Sequence, residues 1–495
     1  MTGSRSGTRR SLRSRFDPYL LAPALLGLLL FQPLLARGIP QAPDALLHFY
    51  RAALWRWAWD GGALWPRWHT LAFQGYGYPV LSYQAPLLYF LTAALSYVTP
   101  GLMVAYKGVM LLACLLYGVG MYLWTRDLLG PRGAVLASAA YVFATFRFRE
   151  LYFVGGYSQF LAFGLYPLVL YFFKRLAATP SRGYFLGAVL SLAAVLMSHN
   201  ISAMLFAPML GVYGLGMAIA YRRSGAWRRL ALAGALGLAV SAVFWLPAVG
   251  EMRFTRTQVL TQGYWDVREH FLQAGEFLAE SPLLDDRAAN PSMPFNFGRL
   301  HLILAGLGVL TLLRRSRRPL LRFHILFALA AVLIAAFMML PASYEIWRVV
   351  PLIKYVEYPW RLYGVAFLGS SLLAGPHWRG SSAPRACNWL PGPRPWWGSS
   401  WRRQSISFRE RSCRSAPHHE TTWCTKTRSG RWGRRRATSS CRLPCTTHPL
   451  SRRWGRISCA RRWLGQPLAR AQSCLRRDQT RFGCAFRALR PPSSR

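Results

Sequence analysis

The sequence predicts an all-α fold, a polytopic transmembrane bundle of about 10–12 apolar helices with extracytoplasmic loops, and three observations predict it. Up to Gly375, long apolar stretches alternate with short basic loops. Basic clusters recur at one set of loops: Lys174, Arg175 and Arg182; Arg222, Arg223, Arg228 and Arg229; Arg314, Arg315, Arg317 and Arg318. Acidic residues gather in the other set. Of the fourteen before the break at Gly375, only Asp17 and Asp127 fall on the side that the basic clusters mark as cytoplasmic.

The elements follow in order. Residues 1–18 form a basic N-terminus with Arg5, Arg9, Arg10, Arg13 and Arg15, which keeps that end in the cytoplasm. The apolar run from Tyr19 to Leu35 is a retained signal-anchor helix, because Ala36-Arg37-Gly38 is a poor small-residue cleavage site and further spans follow. Residues 36–83 make a first outer loop rich in Trp, Tyr and Gly. Further apolar runs occupy about 84–98, 103–124, 133–146, 158–173, 184–197, 201–221, 230–249, 298–313, 320–341 and 362–375, closing a transmembrane domain over 19–375. The run at 84–98 is short and flanked by proline, as expected of a re-entrant or broken helix. The second outer segment, 251–297, carries Asp266, Glu269, His270, Glu276, Glu280, Asp285 and Asp286 without metal-ligand or dyad spacing, and reads as a solvated amphipathic surface helix.

From Pro376 the composition changes. Residues 376–495 hold no Val, Tyr or Met, but 26 Arg and eight of the nine Cys, with neither helical nor strand periodicity. This is the expected product of a GC-rich reading frame that has slipped, with a basic disordered tail as the alternative. The tail contributes +24 of the formal +44 charge, so the charge does not argue for a nucleic-acid partner. Its cysteines show no Cys-x2-Cys spacing, which speaks against zinc, and Cys114 reads as a small core residue.

The residues suited to chemistry lie in the outer loops. If the stretch after Pro43 is a helix, Asp44, His48, Arg51 and Trp55 share one face, while Leu46, Leu47, Tyr50, Leu54 and Trp57 turn to lipid or to other helices. Asp44 would then stand at the helix N-terminus, either as a cap or as a functional carboxylate. The tryptophans from Trp55 to Trp68 suit interfacial anchoring, with sugar stacking as the alternative.

This arrangement resembles the polyprenyl-phosphate-dependent membrane glycosyltransferases of the GT-C type, which carry an Asp in the first outer loop. Three further pieces join it: Gly77-Tyr-Pro-Val-Leu-Ser-Tyr83-Gln-Ala-Pro86, Ser198-His199-Asn200, and Tyr358-Pro359-Trp360-Arg361, which is similar to a Phe-Pro-Trp-Arg motif. Over residues 15–375 the nearest resemblance is to bacterial 6-pyruvoyl-tetrahydropterin synthase-related membrane proteins, without a soluble pterin-synthase domain or a three-His zinc cluster. The resemblance implies an inverting transfer from a polyprenyl-phosphate-linked sugar in the membrane lipid, with Asp44 as base. It implies donor-phosphate or substrate binding by Arg361, Arg51, Arg149, His48, His199 and Asn200, and admits a divalent cation, Mg or Mn, near Glu150. Asn200 has a second reading as a helix C-cap. Two other functions compete: a transporter or flippase of lipid-linked saccharides, which would need charged residues in mid-helix and repeated halves, and an inactive truncated membrane protein.

Overall fold

A computed structural model of the chain describes residues 17–280, 295–313 and 319–375. The slipped-frame or disordered tail at 376–495, the basic residues 5–15, the loop arginines 314–318 and the pair Asp285/Asp286 lie outside the described residues.

Helices come in the order α1 (Leu21–Phe31), α2 (Ala45–Asp60), α3 (Val80–Tyr83), α4 (Leu87–Leu95), α5 (Leu102–Val142), α6 (Thr145–Phe148), α7 (Tyr157–Ala178), α8 (Arg182–Ser198) and α9 (Asn200–Ala220). They continue as α10 (Ala226–Val240), α11 (Ala242–Gly250), α12 (Arg299–Leu313), α13 (Pro319–Met338), α14 (Tyr344–Val349) and α15 (Tyr363–Ala374). Five described segments are long and apolar enough to cross a membrane: Pro18–Leu35, α5, α7, α9 and α13. The α10–α11 pair, bent by 67°, makes a sixth if it acts as one span. The protein is therefore an integral membrane protein with an all-helical fold. Helix α4, nine residues long, reaches only ~14 Å at 1.5 Å per residue and is too short to cross.

Local sequence explains the breaks. The 41-residue α5 kinks at Gly130, where φ is +78° and Pro131 follows, so the two apolar runs expected there are joined through one bend. The α10–α11 bend sits at Ser241, whose hydroxyl donates back to the carbonyls of Gly237 and Leu238 at 3.0 Å each.

Packing centres on α15, all twelve of whose residues are buried. Helix α1 lies very close to α5: a Cβ on Gly118 would fall 2.1 Å from the Pro23 carbonyl oxygen, and one on Gly27 would fall 2.6 Å from that of Cys114. Small residues facing each other let helix backbones meet in this way inside a membrane. Cys114 is buried and free, as a core residue should be.

Beneath the polar end of the bundle, Arg147 is fully buried. Its guanidinium carbon stands 4.7 Å from the ring centroid of Tyr117, 4.5 Å from Tyr141, 5.1 Å from Phe163 and 5.9 Å from Phe367. None of its three side-chain nitrogens has a hydrogen-bond partner among the described residues, so attraction to the ring faces is what offsets its desolvation.

One expectation is corrected. The segment after Glu251 is not an amphipathic helix: its described part is a series of 3₁₀ turns, Met252–Phe254, Thr257–Thr261, Gly263–Trp265, Val267–His270 and Ala274–Leu278. Glycines at 263 and 275 and turns led by polar residues such as Asp266 and Gln273 interrupt any helical ladder. On α2, the residues expected to turn to lipid or to other helices divide between the two: Leu46, Leu47, Tyr50 and Trp57 are exposed, and Leu54, 4% exposed, is buried in the core.

Candidate functional site

Four helices begin around one cavity of about 820 Å³: Asp44 precedes α2, Gly156 precedes α7, His199 precedes α9, and Arg361 lies one turn before α15. Their partly unsatisfied backbone N–H ends bring positive potential to a common place. Asp44, His48, Arg51, Arg149, Glu150, His199, Asn200 and Arg361, scattered over more than three hundred positions of sequence, all line this cavity.

Asp44 occupies the cap position of α2, but its side chain makes no capping hydrogen bond. Its backbone N–H donates to the Val154 carbonyl at 3.0 Å, tying α2 to the loop that carries Glu150. Burial raises the pKa of the carboxyl, opposed by the charges of Arg51 and Arg361. His48, one turn on, is buried: its Nδ1 lies 2.8 Å from the Tyr89 hydroxyl, and its ring stacks on Tyr89 at 5.8 Å. Burial first, then Arg51, lowers its pKa to about 3, so it is a neutral imidazole. Arg51 donates to the same Tyr89 hydroxyl at 3.4 Å.

Arg149 and Glu150 ride on a π-helical turn, Arg149–Val154, a distortion often found at functional sites. The Arg149 guanidinium lies 3.6 Å over the Phe295 ring. Glu150 is 1% exposed, and its Oε1 has no hydrogen-bond partner among the described residues. Burial raises its pKa to about 8, against the opposing pull of Arg149 and Arg361. It is therefore protonated in the folded protein at neutral pH.

That state has a testable sign. The unfolded chain loses this proton near 4.5, the folded one near 8, so stability is full below about 4.5 and declines as pH rises through that window. The loss is on the order of a few kcal/mol, at ~1.4 kcal/mol per pKa unit. The thermal midpoint of the purified protein should fall between pH 5 and 8, and Glu150→Gln should flatten that slope. Parallel slopes in the two proteins would show that Glu150 is not held protonated.

His199 caps α9, its Nδ1 accepting from the Ser202 N–H at 3.2 Å and lying 2.8 Å from the Ser202 hydroxyl. The neutral ring then carries its hydrogen on Nε2. Asn200 opens α9 rather than closing α8, and its side-chain amide donates to the Tyr83 carbonyl at 2.8 Å. The C-cap reading of Asn200 is thus replaced: the chain turns at His199, which has extended backbone angles, and restarts a helix at once.

Arg361 donates to the Val356 carbonyl at 2.6 Å and pairs with Glu357 at 3.3 Å. Glu357 was not visible as a site residue in the sequence. Its φ of +64° and ψ of −52°, with Tyr358 N–H donating to Val356 O at 2.7 Å, define a γ-turn of the rare strained hand. Such backbone costs of order 1–3 kcal/mol and persists where surroundings impose it. Here the Arg361 guanidinium grips the same carbonyl that closes the turn. The cavity also takes Tyr264, Trp265 and His270 from the turns after Glu251, Phe295, and Tyr358 and Trp360. Among the Trp-rich residues expected to anchor or stack, Trp55 is buried against Trp59, Trp65 and Phe90, and none from Trp55 to Trp68 lines the cavity.

Three guanidiniums thus face Asp44 and Glu357, with Glu150 neutral and two histidines uncharged, leaving an excess of positive charge for an anion. Among the described residues no group of three or more His, Cys, Asp or Glu is placed to hold a metal ion. The charges of Arg149 and Arg361 near Glu150 make that carboxyl a poor cation ligand.

Residues 81–357 match the 6-pyruvoyl-tetrahydropterin synthase related domain, described as a membrane protein, a stretch that includes Glu150 and Glu357 but not Asp44 or Arg361. No curated protein matches the chain. Among solved structures, ArnT from Cupriavidus metallidurans bound to undecaprenyl phosphate aligns at 17% identity over 72% of this chain and 59% of that one, with a TM-score of 0.40. ArnT in the apo state aligns at 18% identity over 72% and 77% of the two chains, with a TM-score of 0.35. The apo Archaeoglobus fulgidus oligosaccharyltransferase aligns at 13% identity over 72% and 49%, with a TM-score of 0.39. The chain spans less than two thirds of the length of the first and third of these.

Proposed function

The chain belongs to the 6-pyruvoyl-tetrahydropterin synthase related family of membrane proteins, and from that premise we propose that it transfers a sugar from a polyprenyl-phosphate donor to an acceptor hydroxyl on the extracytoplasmic face of a bacterial cytoplasmic membrane, with its N-terminus in the cytoplasm. One observation carries this reading: a single cavity joins the Asp44 carboxylate to Arg51, Arg149 and Arg361 where four helices begin.

In this mechanism Asp44 takes the proton of the acceptor hydroxyl as its oxygen attacks the anomeric carbon. The bond from that carbon to the phosphate oxygen breaks, and the electron pair leaves with the polyprenyl phosphate. Arg361 and Arg51 stabilise the charge that grows on the leaving phosphate, and the sugar inverts. A carboxyl whose pKa is raised towards the working pH is a better base than a fully solvated one. His48 supports Arg51 through Tyr89 rather than touching the reacting atoms. No step calls on a metal.

The test presents labelled polyprenyl-phosphate sugar to membranes carrying the protein or Asp44→Asn. Loss of a general base should lower transfer by about 10²- to 10⁴-fold while donor binding survives. Unchanged transfer by Asp44→Asn would remove the catalytic assignment, and no transfer by the unaltered chain would remove the function.

A further inference from the structure

The cavity lining also holds a series of rings, and the guanidiniums of Arg149 and Arg361 lie over two of them, Phe295 and Tyr358. Phe295 stacks on Trp360 at 4.9 Å, Trp360 on Tyr358 at 4.9 Å, and Tyr358 meets His270 at 4.5 Å. These inner rings cover one another's faces. The series ends at Tyr264 and Trp265, in edge contact at 5.2 Å, which are 68% and 37% exposed although both line the cavity.

The two terminal rings are held in place. His270 Nε2 donates to the Tyr264 carbonyl at 2.6 Å, Asp266 accepts from the Arg268 N–H at 3.0 Å, and Leu272 N–H donates to Met339 O at 2.9 Å. Val267 and Leu272 between them are buried. Exposed apolar rings fixed by their own loop are a prepared surface.

A second observation points to a ligand rich in hydroxyls. Gln159 is 4% exposed and Glu150 1%, both line the cavity, and Gln159 Nε2 and Glu150 Oε1 lack partners among the described residues. Buried polar atoms left unpaired cost about 1–3 kcal/mol each, so a bound molecule that supplies their partners is favoured. A saccharide presents both requirements at once: a flat C–H face for a ring and a rim of hydroxyls that donate and accept. A serine or threonine side chain offers no such face.

We propose that Tyr264 and Trp265 form the acceptor subsite of this cavity and that the acceptor is itself a saccharide, stacked on these rings with its hydroxyls directed to Gln159 and Glu150. The proposal rests on the transfer reading of the same cavity and names its substrate class. Its location at the exposed end of the ring series suits a molecule arriving from water, whereas a lipid-linked donor arrives from the membrane.

Saturation-transfer NMR on the full chain in detergent tests this without requiring turnover, using methyl α-mannopyranoside, methyl β-glucopyranoside and a Ser/Thr-containing peptide as probes. At least one glycoside should give signals, strongest on one face of its ring protons, with both the unaltered chain and Asp44→Asn. Trp265→Leu keeps apolar bulk but removes the ring face, and should weaken binding roughly tenfold, the upper end of what ring stacking contributes; Trp265→Phe should retain most of it. Undiminished glycoside signals with Trp265→Leu and Tyr264→Leu combined, no glycoside signal with the unaltered chain, or signals from the peptide alone would each overturn the proposal. Failure of the transfer reading looks different: glycoside signals that depend on Trp265, in a chain that moves no labelled sugar.

Discussion

Arg361→Gln should lower sugar transfer by about 10²- to 10³-fold, the range seen when one preorganised donor to a developing anion is removed. Its side chain is only 13% exposed, and its guanidinium pairs with Glu357, holds the Val356 carbonyl and lies 4.8 Å over the Tyr358 ring. Its Nε is buried and has no hydrogen-bond partner among the described residues, leaving donor capacity for a phosphate oxygen. Arg361→Lys is the informative companion. An ammonium keeps the charge opposite Glu357 but cannot grip the carbonyl, pair with the carboxylate and lie flat on a ring together. Transfer should therefore fall nearly as far in Arg361→Lys, while the thermal midpoint falls less than in Arg361→Gln, which leaves Glu357 without its counter-charge. Full transfer by Arg361→Gln would remove Arg361 from phosphate stabilisation and leave it a structural ion pair.

The other large effect concerns folding. Gly118→Leu should abolish the docking of α1, because even the first carbon of the new side chain would lie 2.1 Å from a backbone oxygen of Pro23. A flexible neighbour could swing aside, but a helix backbone has to move as a unit. The cost should reach at least about 3 kcal/mol, the upper end of ordinary overpacking. The expected result is little folded protein recovered from membranes and a thermal midpoint many degrees lower in what remains. Gly118→Leu with unaltered yield and melting would mean that α1 does not pack against α5 as described.

The spans were legible because hydropathy and basic loops act over long windows, whereas the runs at 103–124 and 133–146, read as two, are one helix kinked at Gly130. The polar residues of the cavity were legible for a related reason. In an apolar chain, Asp44, His199 and Arg361 stand where helices begin, Glu150 lies in the turn ahead of α7, and these helix ends come together. What stayed hidden depends on tertiary contact. Glu357 has no glycine to announce its positive φ, and only the Arg361 contact shows why the turn is tolerated. Tyr264 and Trp265 reach the cavity across more than two hundred positions from Asp44, in turns without periodicity. Arg147 and Arg149 look alike in sequence, yet two residues apart they face an interior of rings and an open cavity respectively.

The surroundings of Arg147 also constrain how the chain comes together in time. Two of its rings belong to α5, one to α7 and one to α15, the last described helix, more than two hundred residues later in synthesis. Until α15 arrives, a full positive charge would have to enter an apolar interior without its complete shelter, at a cost of several kcal/mol. The shelter of Arg147 and the cavity beside it therefore draw on the same late stretch of chain: Phe367 of α15 completes the one, and Arg361, which leads into α15, lines the other.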